Sequence, residues 1–358
     1  MPLARAVVEC PIHESFRVAQ VAGMFDVPLA EKCREAFEVD VPSLDEDWQI
    51  GVIVGPSGSG KSTIARQVFG DAPRSGGPWP PDRAVIDGFD PDVSIKRVTR
   101  LLTAVGFSSP PAWIKPYRVL SCGEQFRCDL ARALLASREL VVFDEFTSVV
   151  DRTVAKIGSA AVSQAVRSGD FTQRFVAVTC HYDVVEWLEP DWVVDMATRT
   201  LTRRRLRRPD LRLEVFRCRR DVWPLFARHH YLSGKLSPSA QCYLGLVDGR
   251  PAAFCAVLPS IGHAGVRRVS RLVVLPDYQG IGIGSRLRGA VADLLKAAGY
   301  RVTITASHPA LIGHLQRSPH WRIACIKRQG SSVHAGAKQG SVTSTGRAVV
   351  SAEYVRGV

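Results

Sequence analysis

A glycine-rich segment in the first fifth of the chain has the residue types needed to bind the phosphates of a nucleotide. The segment GPSGSGKST, at residues 55–63, follows an apolar run and precedes a helix-forming run. Glycines at such a junction let backbone N–H groups wrap phosphate oxygens, and the N-terminus of the following helix adds partial positive charge. We expect Lys61 to reach the terminal phosphates of ATP and the Ser62 hydroxyl to ligate Mg²⁺. The predicted nucleotide-binding residues of this segment are Gly55, Ser57, Gly58, Gly60, Lys61, Ser62 and Thr63.

A pair of acids ends a second apolar run. The stretch ELVVFDE, at residues 139–145, predicts a buried strand that ends at Asp144 and Glu145. Asp144 would hold Mg²⁺ through water, and Glu145 would polarise a water that attacks the terminal phosphate. A strand that merely precedes an acidic turn is the alternative, but this one follows the glycine-rich segment by about 80 residues.

The first half of the chain alternates apolar strands with helical stretches, which indicates an α/β fold with a mostly parallel sheet covered by helices. His181 follows one of these strands. The predicted strands are 49–54, 84–86, 140–144, 174–179 and 192–194, and the predicted helices are 61–69, 93–104, 123–135 and 154–167.

These elements, in this order, resemble the ABC family of ATPases over about residues 51–195. LSCGEQ at 120–125 resembles the family signature, FDEFTSVVD at 143–151 its acidic strand and D-loop, and TCHYD at 179–183 its switch histidine. The resemblance implies that the signature of one protomer closes the ATP site of another, so we expect a homodimer with ATP sandwiched between subunits. It assigns nucleotide contacts or catalysis to Ser121, Gly123, Gln125, Asp151 and His181.

Two features depart from the ABC subunits of transporters. Only about 60 residues separate Lys61 from Ser121, which is short for the helical subdomain that contacts membrane partners. The Q-loop glutamine is also missing, because no glutamine occurs between Asp71 and Glu124, and Asp87 stands near that place. Both departures weaken a transporter interpretation, and we expect no membrane segment in this chain.

A second glycine-rich segment, VVLPDYQGIGIGSRL at 273–287, also joins a predicted strand to a helix. Dinucleotide-binding folds use a similar turn, but no acid follows at the ribose-binding distance. The strands before it are predicted as a hairpin around Asp248–Gly249 instead of parallel units. A structural strand–helix turn is the other alternative.

The better match is to the GNAT acyltransferases, over about residues 211–327, because Gln279, Gly282 and Gly284 fill the pattern Q/R-x-x-G-x-G/A. The resemblance implies that the turn binds the pyrophosphate of acetyl-CoA or another acyl-CoA, and that the edge of 272–274 pairs with the pantetheine amides. The predicted acyl-CoA residues are Val274, Gln279, Gly280, Gly282, Gly284 and Ser285.

The acid–base residue of the acyltransferase stays open. Many relatives carry a tyrosine on the helix after the next strand, and Leu315 stands at the place where we align it. His314, His308 and Tyr278 are the alternatives, each against a packing or surface role. A further cluster, His229, His230 and Tyr231, lies where such enzymes shape the acceptor pocket, or it holds core histidines. No cysteine has zinc-ligand spacing.

Charge indicates a polyanionic partner, since Lys and Arg exceed Asp and Glu by 13 and the isoelectric point is near 9.6. Residues 199–220 contain ten arginines against Asp210 and Glu214. They could bind a phosphate backbone or form a solvated surface. We place the domain boundary here, giving 1–208 for an ABC-type P-loop ATPase domain and 209–358 for a GNAT-like mixed α/β domain with a flexible segment at 330–346.

The sequence therefore predicts a soluble, cytoplasmic ATPase coupled to an acyl-CoA-dependent N-acyltransferase that modifies an amine of nucleic acid, a DNA base included. Nine scattered cysteines fit free thiols, and the N-terminus lacks a secretory pattern. The alternatives are the ATP-binding subunit of a transporter with a CoA-sensing domain, an acetyltransferase of proteins or small molecules, and a module that binds CoA without catalysis.

Overall fold

The computed structural model describes residues 3–9, 15–26, 34–70, 78–136, 139–169, 171–203, 211–230, 235–328 and 348–355. The chain forms two compact units. The first comprises Met1–Trp79 and Ser121–Pro209, and the second comprises Pro80–Leu120 and Asp210–Val358. Because residues 80–120 group with the C-terminal part, the two units interleave along the chain. The division predicted from the sequence is contiguous instead. The predicted flexible segment at 330–346 lies outside the described residues.

The strands form three sheets. The strands are β1 (Leu3–Glu9), β2 (Arg34–Asp40), β3 (Ile50–Val54), β4 (Leu140–Phe143), β5 (Arg174–Thr179), β6 (Trp192–Asp195), β7 (Thr200–Arg203), β8 (Leu213–Cys218), β9 (Gln241–Val247), β10 (Arg250–Ser260), β11 (His263–Val274), β12 (Arg301–Ala306), β13 (Trp321–Arg328) and β14 (Ala348–Tyr354). The first unit holds a five-stranded sheet in the order β4-β5-β3-β6-β7, parallel except for its edge strand β7, and an antiparallel pair β1-β2 that the sequence did not predict. The second holds seven strands in the order β13-β14-β12-β11-β10-β9-β8.

The four helices predicted in the first half of the chain agree with the observed ones to within two residues at each end. The observed helices are α1 (Phe16–Phe25), α2 (Lys61–Phe69), α3 (Ile95–Ala104), α4 (Pro110–Trp113), α5 (Cys122–Ala136), α6 (Arg152–Arg167), α7 (Val184–Leu188), α8 (Trp223–Ala227), α9 (Ile283–Ala297) and α10 (Pro309–Arg317). The strand predicted at 84–86 is wrong. A 3₁₀ helix, Val85–Gly88, occupies that place, since Ala84 alone makes a bridge, to Pro116, before the chain turns.

The core of the first unit depends on a glycine in its central strand. Trp192 is buried, and its ring lies 5.3 Å from Trp48 and 6.4 Å from Phe69 between centroids. A Cβ atom on Gly51 of β3 would lie 2.0 Å from Cζ2 of Trp192. The absence of a side chain at Gly51 is therefore what lets this ring lie against the sheet.

Gly51→Ala should lower the stability of the first unit by about 3 kcal/mol, because a methyl group there overpacks a rigid aromatic core. Gly289→Ala is the matched control, because its Cβ in helix α9 would meet nothing within 4 Å and should stabilise by about 0.5–1 kcal/mol through helix propensity. Thermal unfolding of the full chain measures both. An unchanged midpoint for Gly51→Ala would mean that Trp192 does not fill the space above β3.

The sheet of the second unit opens between two of its parallel strands. β11 and β12 pair from Val266 with Arg301 to Val269 with Ile304, and although both strands continue, their pairing stops there. The β10–β11 register shifts at the same level, leaving Ser270 as an extra residue in β11. Such a bulge bends its strand. At residues 270–274 the edge of β11 that faces away from β10 therefore has no strand partner among the described residues.

Candidate nucleotide and acyl-CoA sites

The carboxyl ends of the parallel strands meet at one edge of the first unit's sheet. Val54 at the end of β3 pairs with Thr179 at the end of β5, and β4 pairs with the other side of β5. The glycine-rich turn after β3 thus shares this edge with Asp144 and Glu145, which follow β4. His181 also lies here, half-buried, with its backbone N–H donating to the Thr179 hydroxyl at 3.1 Å. Segments far apart in sequence therefore come to one edge.

The first glycine-rich turn places a buried amine where phosphates would lie. Gly58 and Gly60 adopt φ values of 81° and 79°, which other residues adopt only with strain. Lys61 is 9% exposed, and its Nζ donates to the carbonyl oxygen of Pro56 at 2.6 Å. Residue 55 must also be a glycine, because a Cβ there would lie 2.9 Å from Cβ of Met196. Phosphate oxygens would give this ammonium a stronger, charged acceptor.

Two oxygen ligands from different elements meet beside this turn. The Ser62 hydroxyl of α2 donates to Oδ1 of Asp144 at 2.9 Å. Mg²⁺ takes hard oxygen ligands and keeps several waters, so one hydroxyl and one carboxylate suit it. Ser57 is exposed in the turn and Thr63 half-buried in α2. The donor set fits the predicted magnesium site.

Glu145 is held in a strained turn beside Asp144. Its φ of 53° is left-handed, which costs a non-glycine residue about 1–2 kcal/mol. The Ser148 hydroxyl donates to its Oε2 at 2.7 Å, and its own N–H donates to Asp144 Oδ1 at 3.0 Å. Strain of this kind clusters at functional sites. The turn fixes an exposed carboxylate next to the predicted metal ligand.

The signature residues make local contacts within the first unit. The Ser121 backbone N–H donates to Glu124 Oε2 at 3.0 Å, and the Glu124 N–H donates to the Ser121 hydroxyl at 3.4 Å, which is a capping box at the start of α5. The Gln125 N–H donates to the Ser121 carbonyl oxygen at 2.9 Å. A Cβ on Gly123 would lie 3.1 Å from Val154 of α6. These contacts explain the serine and glycine within one protomer.

Asp151 caps helix α6. Its Oδ1 accepts from the N–H groups of Thr153 and Val154 at 2.8 and 3.1 Å. An N-cap aspartate stabilises a helix by about 1 kcal/mol. The residue therefore has a structural role in this chain, beside the nucleotide contact that the sequence predicts.

The second glycine-rich turn connects β11 to α9 in the second unit. Gly280 and Gly282 have φ values of 93° and 82°, and α9 begins immediately after Gly282. A Cβ on Gly284 would lie 2.9 Å from Cγ2 of Val274, at the end of β11. The first N–H groups of this 15-residue helix and its partial positive charge suit an anionic phosphate.

The side chain of Gln279 has a role that the sequence did not indicate. It is buried, its Nε2 donates to the Val274 carbonyl oxygen at 2.9 Å, and its Oε1 accepts from the backbone N–H of Ser108 at 2.6 Å. The sequence pattern assigned a role only to the backbone of this residue. The carboxamide ties the turn to the end of β11 and to the segment 80–120.

One of the predicted acid–base candidates reaches the same helix end. Nδ1 of His314, on α10, lies 3.3 Å from the Ser285 hydroxyl in the first turn of α9. Burial lowers the pKa of His314, and the nearby charges of Arg288, Arg317 and His320 act in the same direction. A histidine with this environment is neutral at pH 7 and suited to accept a proton.

Comparisons with known proteins find matches to both parts of the chain. Residues 203–313 match the model of the Acetyltransferase (GNAT) family. The zinc import ATP-binding protein ZnuC of Ruegeria sp. is 32% identical over 139 residues, 34% of this chain and 54% of that protein. ZnuC of Pseudomonas fluorescens strain Pf0-1 is 35% identical over 126 residues, which cover 30% of this chain and 48% of that protein. The chain therefore joins a region similar to ABC-type ATPases to a region that matches the GNAT acetyltransferase family.

The chain spans about half the length of the ABC relatives that it matches. Among solved structures, the dimeric ATP-binding cassette MJ0796 with ADP and Pi aligns with a TM-score of 0.38 at 17% identity, covering 48% of this chain and 93% of that one. The ribosomal-protein-S18-alanine N-acetyltransferase of Escherichia coli aligns with a TM-score of 0.31 at 17% identity, covering 40% of this chain and 93% of that one.

The GNAT domain buries an arginine whose role the sequence did not indicate. Arg288 of α9 is fully buried, and its guanidinium lies 4.8 Å from the ring centroid of Trp321. Within the described part of the chain, its Nε, Nη1 and Nη2 atoms have no hydrogen-bond partner. Burial lowers the pKa of Arg288 to about 10. At pH 7 the guanidinium therefore stays protonated, and Arg288 lies about one turn after Gly284 on α9.

The other predicted histidines of the GNAT domain have packing partners. His230 is buried, 5.8 Å from Trp223 in an edge-to-face arrangement, and Nε2 of His229 accepts from Arg228 Nε at 3.0 Å. Tyr231 lies outside the described residues. His308 is the N-cap residue of α10. For His229 and His230, these contacts favour a packing role, and the prediction of an acceptor pocket at 229–231 stays a prediction.

The basic segment contains both paired and undescribed arginines. Arg203 bonds to Glu46 in the ATPase region, and Arg212 pairs with Glu214 at 3.5 Å in the GNAT domain. Residues 204–210, which contain four of the ten arginines, lie outside the described residues. No helix in the described ranges is long and apolar enough to cross a membrane. Nor do the described His, Cys, Asp and Glu side chains gather in threes to hold a metal.

Proposed function

We propose that this protein is an ATPase coupled to an acyl-CoA-dependent N-acyltransferase, and that its acceptor is an amine of a nucleic acid. The observation that carries the proposal is the acyl-CoA-type turn at 279–284, which stands at the N-terminus of α9 and follows the end of β11, where β11 pairs with β10 but no longer with β12. The ATPase part is supported by Lys61, Ser62, Asp144 and Glu145 at one sheet edge.

In the nucleotide site, Lys61 binds the terminal phosphates once it leaves the Pro56 carbonyl group. Ser62 and Asp144 would hold Mg²⁺, which would neutralise charge on the transferred phosphoryl group. Glu145 orients the attacking water, and His181 faces the terminal phosphate. Two chains sandwich ATP in this proposal, and Ser121 and Gly123 of each complete the site of the other. The exposure of Ser121 at the start of α5 supports this arrangement, because a second chain could reach its hydroxyl.

In the acyl site, the N–H groups of the turn bind the pyrophosphate and the free edge of 270–274 pairs with the pantetheine amides. The acceptor nitrogen then bonds to the thioester carbon, the C–S bond breaks, and CoA leaves as a thiolate. His314 takes the proton that the amine loses and returns it to the thiolate. Its Nδ1–H would donate to Ser285, which leaves Nε2 to accept that proton.

A nucleic-acid acceptor follows from charge. The excess of 13 positive charges and the arginines of 199–220 suit a phosphate backbone. Incubating the full chain with ATP, Mg²⁺ and radiolabelled acetyl-CoA should label DNA or RNA and not added protein. The label should fall steeply between about 50 and 200 mM salt, because counterion release governs such binding. Label in protein alone would refute the acceptor, and no label at all would refute acyl transfer.

The same assay tests the base. His314→Gln should slow transfer by about 10²–10⁴-fold. Since burial lowers the pKa of His314, wild-type transfer should decline only below pH 6.5, as the imidazole becomes protonated. His263→Gln, which changes an exposed histidine at the start of β11, is the control and should leave the rate unchanged. An acidic limb that persists in His314→Gln would exclude this role.

The names of the relatives favour a second candidate, the ATP-binding component of a zinc importer with an appended acyl-CoA sensor. The ZnuC relatives share 32–35% identity with the ATPase region. The short spacing between Lys61 and Ser121 weighs against this candidate. It requires a membrane protein to co-purify with the chain and ATP hydrolysis that does not respond to DNA or RNA.

A further inference from the structure

The chain passes from the first unit to the second and back between two elements of the proposed ATP site. It leaves the first unit after Trp79, downstream of α2 with Lys61, and returns at Ser121, the start of the signature. The intervening segment, Pro80–Leu120, belongs to the same compact unit as the acetyltransferase domain. One end of this segment is therefore covalently joined to Ser121, which would contact ATP, and the other end follows, further along the chain, the helix that carries Lys61.

Buried side chains and hydrogen bonds hold the segment together. Helix α3 buries Val98, Leu101 and Leu102, and Phe107 just beyond it is fully buried. The indole N–H of Trp113 donates to the Phe107 carbonyl oxygen at 2.9 Å, and the Phe107 N–H donates to the Leu102 carbonyl oxygen at 2.7 Å. These bonds fix the loop 107–109 against α3 and α4.

This loop contacts the acyl-CoA turn directly. The Ser108 N–H donates to Oε1 of Gln279 at 2.6 Å, and the other end of that carboxamide donates to the Val274 carbonyl oxygen at 2.9 Å. The Trp113 ring also lies 6.4 Å from the ring of His308, and α3 contacts α10. Gln279 is buried, so breaking either bond leaves a polar group without water. The position of the loop and the shape of the turn are thus coupled.

We propose that the segment 80–120 couples the two active sites, so that ATP binding changes the affinity of the turn at 279–284 for acyl-CoA. Gln279 is the positioning residue: its carboxamide passes a shift of loop 107–109 to the turn and to the end of β11. This proposal rests on the proposed function, since it needs both sites to bind their ligands. Linkage requires acyl-CoA to change ATP affinity by the same factor.

Calorimetric titration of the full chain tests the coupling. The Kd of acetyl-CoA should differ about 5- to 150-fold with and without saturating Mg²⁺ and a non-hydrolysable ATP analogue, and the Kd of the analogue should differ equally with and without acetyl-CoA. Ser108→Pro removes the N–H donor and should abolish the difference while each ligand still binds alone. Ser108→Ala keeps the N–H and should retain it.

Trp113→Phe gives a second measurement if Ser108→Pro does not fold. It removes the bond to Phe107 and keeps a ring beside His308, so the coupling should fall without being lost. Equal Kd values in the wild type with and without the analogue would overturn the coupling and leave the proposed function standing. A wild type that binds no acetyl-CoA would overturn both. Full coupling in Ser108→Pro would remove the role of the Ser108–Gln279 bond.

Discussion

Lys61→Met should reduce ATP hydrolysis by at least about 10²–10³-fold, the usual effect of removing one donor to a charge that develops in the transition state. The amine of Lys61 is buried in the turn and donates to the Pro56 carbonyl oxygen at 2.6 Å. It is thus held at the phosphate-binding loop before a nucleotide arrives. Methionine keeps most of the apolar stem that α2 buries, so the fold should persist. Phosphate release at saturating ATP measures the effect.

Lys156→Met is the matched control for the loss of a lysine. Lys156 lies on helix α6 of the same unit, and its Nζ is 5.5 Å from the ring of Trp187. The substitution therefore removes an equal charge outside the glycine-rich turn. Hydrolysis by this variant should stay near that of the wild type. If Lys61→Met retained more than a tenth of the activity, Lys61 would not contact the transferred phosphoryl group.

Local pattern was sufficient to predict the elements of the ATP site. An apolar run of five residues, 50–54, reads as a strand buried on both faces, and β3 is one, because parallel strands covered by helices need apolar residues throughout. The hairpin turn at Asp248–Gly249 is confirmed by φ values of 50° and 73°, which few other residue pairs adopt easily. Such signals lie within a few residues.

Partners far apart in sequence were not predictable. Ser108 and Gln279 are separated by 171 residues, and no local property of FSSPP indicates a bond to the acyl-CoA turn. Residues 80–120 likewise belong to the second unit through contacts with residues far away in sequence, which local pattern does not indicate. Arg288 shows the same limit, since an arginine in an amphipathic helix reads as a surface residue although here it is buried.

Residues that act across two protomers stay predictions for a physical reason. Ser121 and Gly123 make local contacts that stabilise the fold whether or not a nucleotide binds. These contacts are a capping box and close packing on α6. Asp151 is an N-cap. One chain can satisfy all of these contacts alone, so only the behaviour of two chains with ATP tests the contact across the dimer.

Gly284→Asp should weaken acetyl-CoA binding by about 100-fold or more. The glycine lies in the first turn of α9, where a Cβ would be 2.9 Å from Cγ2 of Val274 and 3.9 Å from Leu272. The side chain would therefore have to push aside the Cγ2 methyl group of Val274, and the carboxylate would stand where the pyrophosphate should bind. At about 4 Å, like charges near a protein surface repel by roughly 4 kcal/mol. A carboxylate in the first turn also favours the helix itself, so the fold should survive.

Gly284→Asn separates repulsion from size, because it has the same shape without the charge. Its Kd for acetyl-CoA should lie between those of the wild type and Gly284→Asp, about tenfold or more below the aspartate variant. Raising the salt concentration should narrow the gap, since screening weakens repulsion between exposed charges. Equal loss of binding in both variants would show that the turn senses only volume. The N–H groups of α9 would then not be the site of the pyrophosphate.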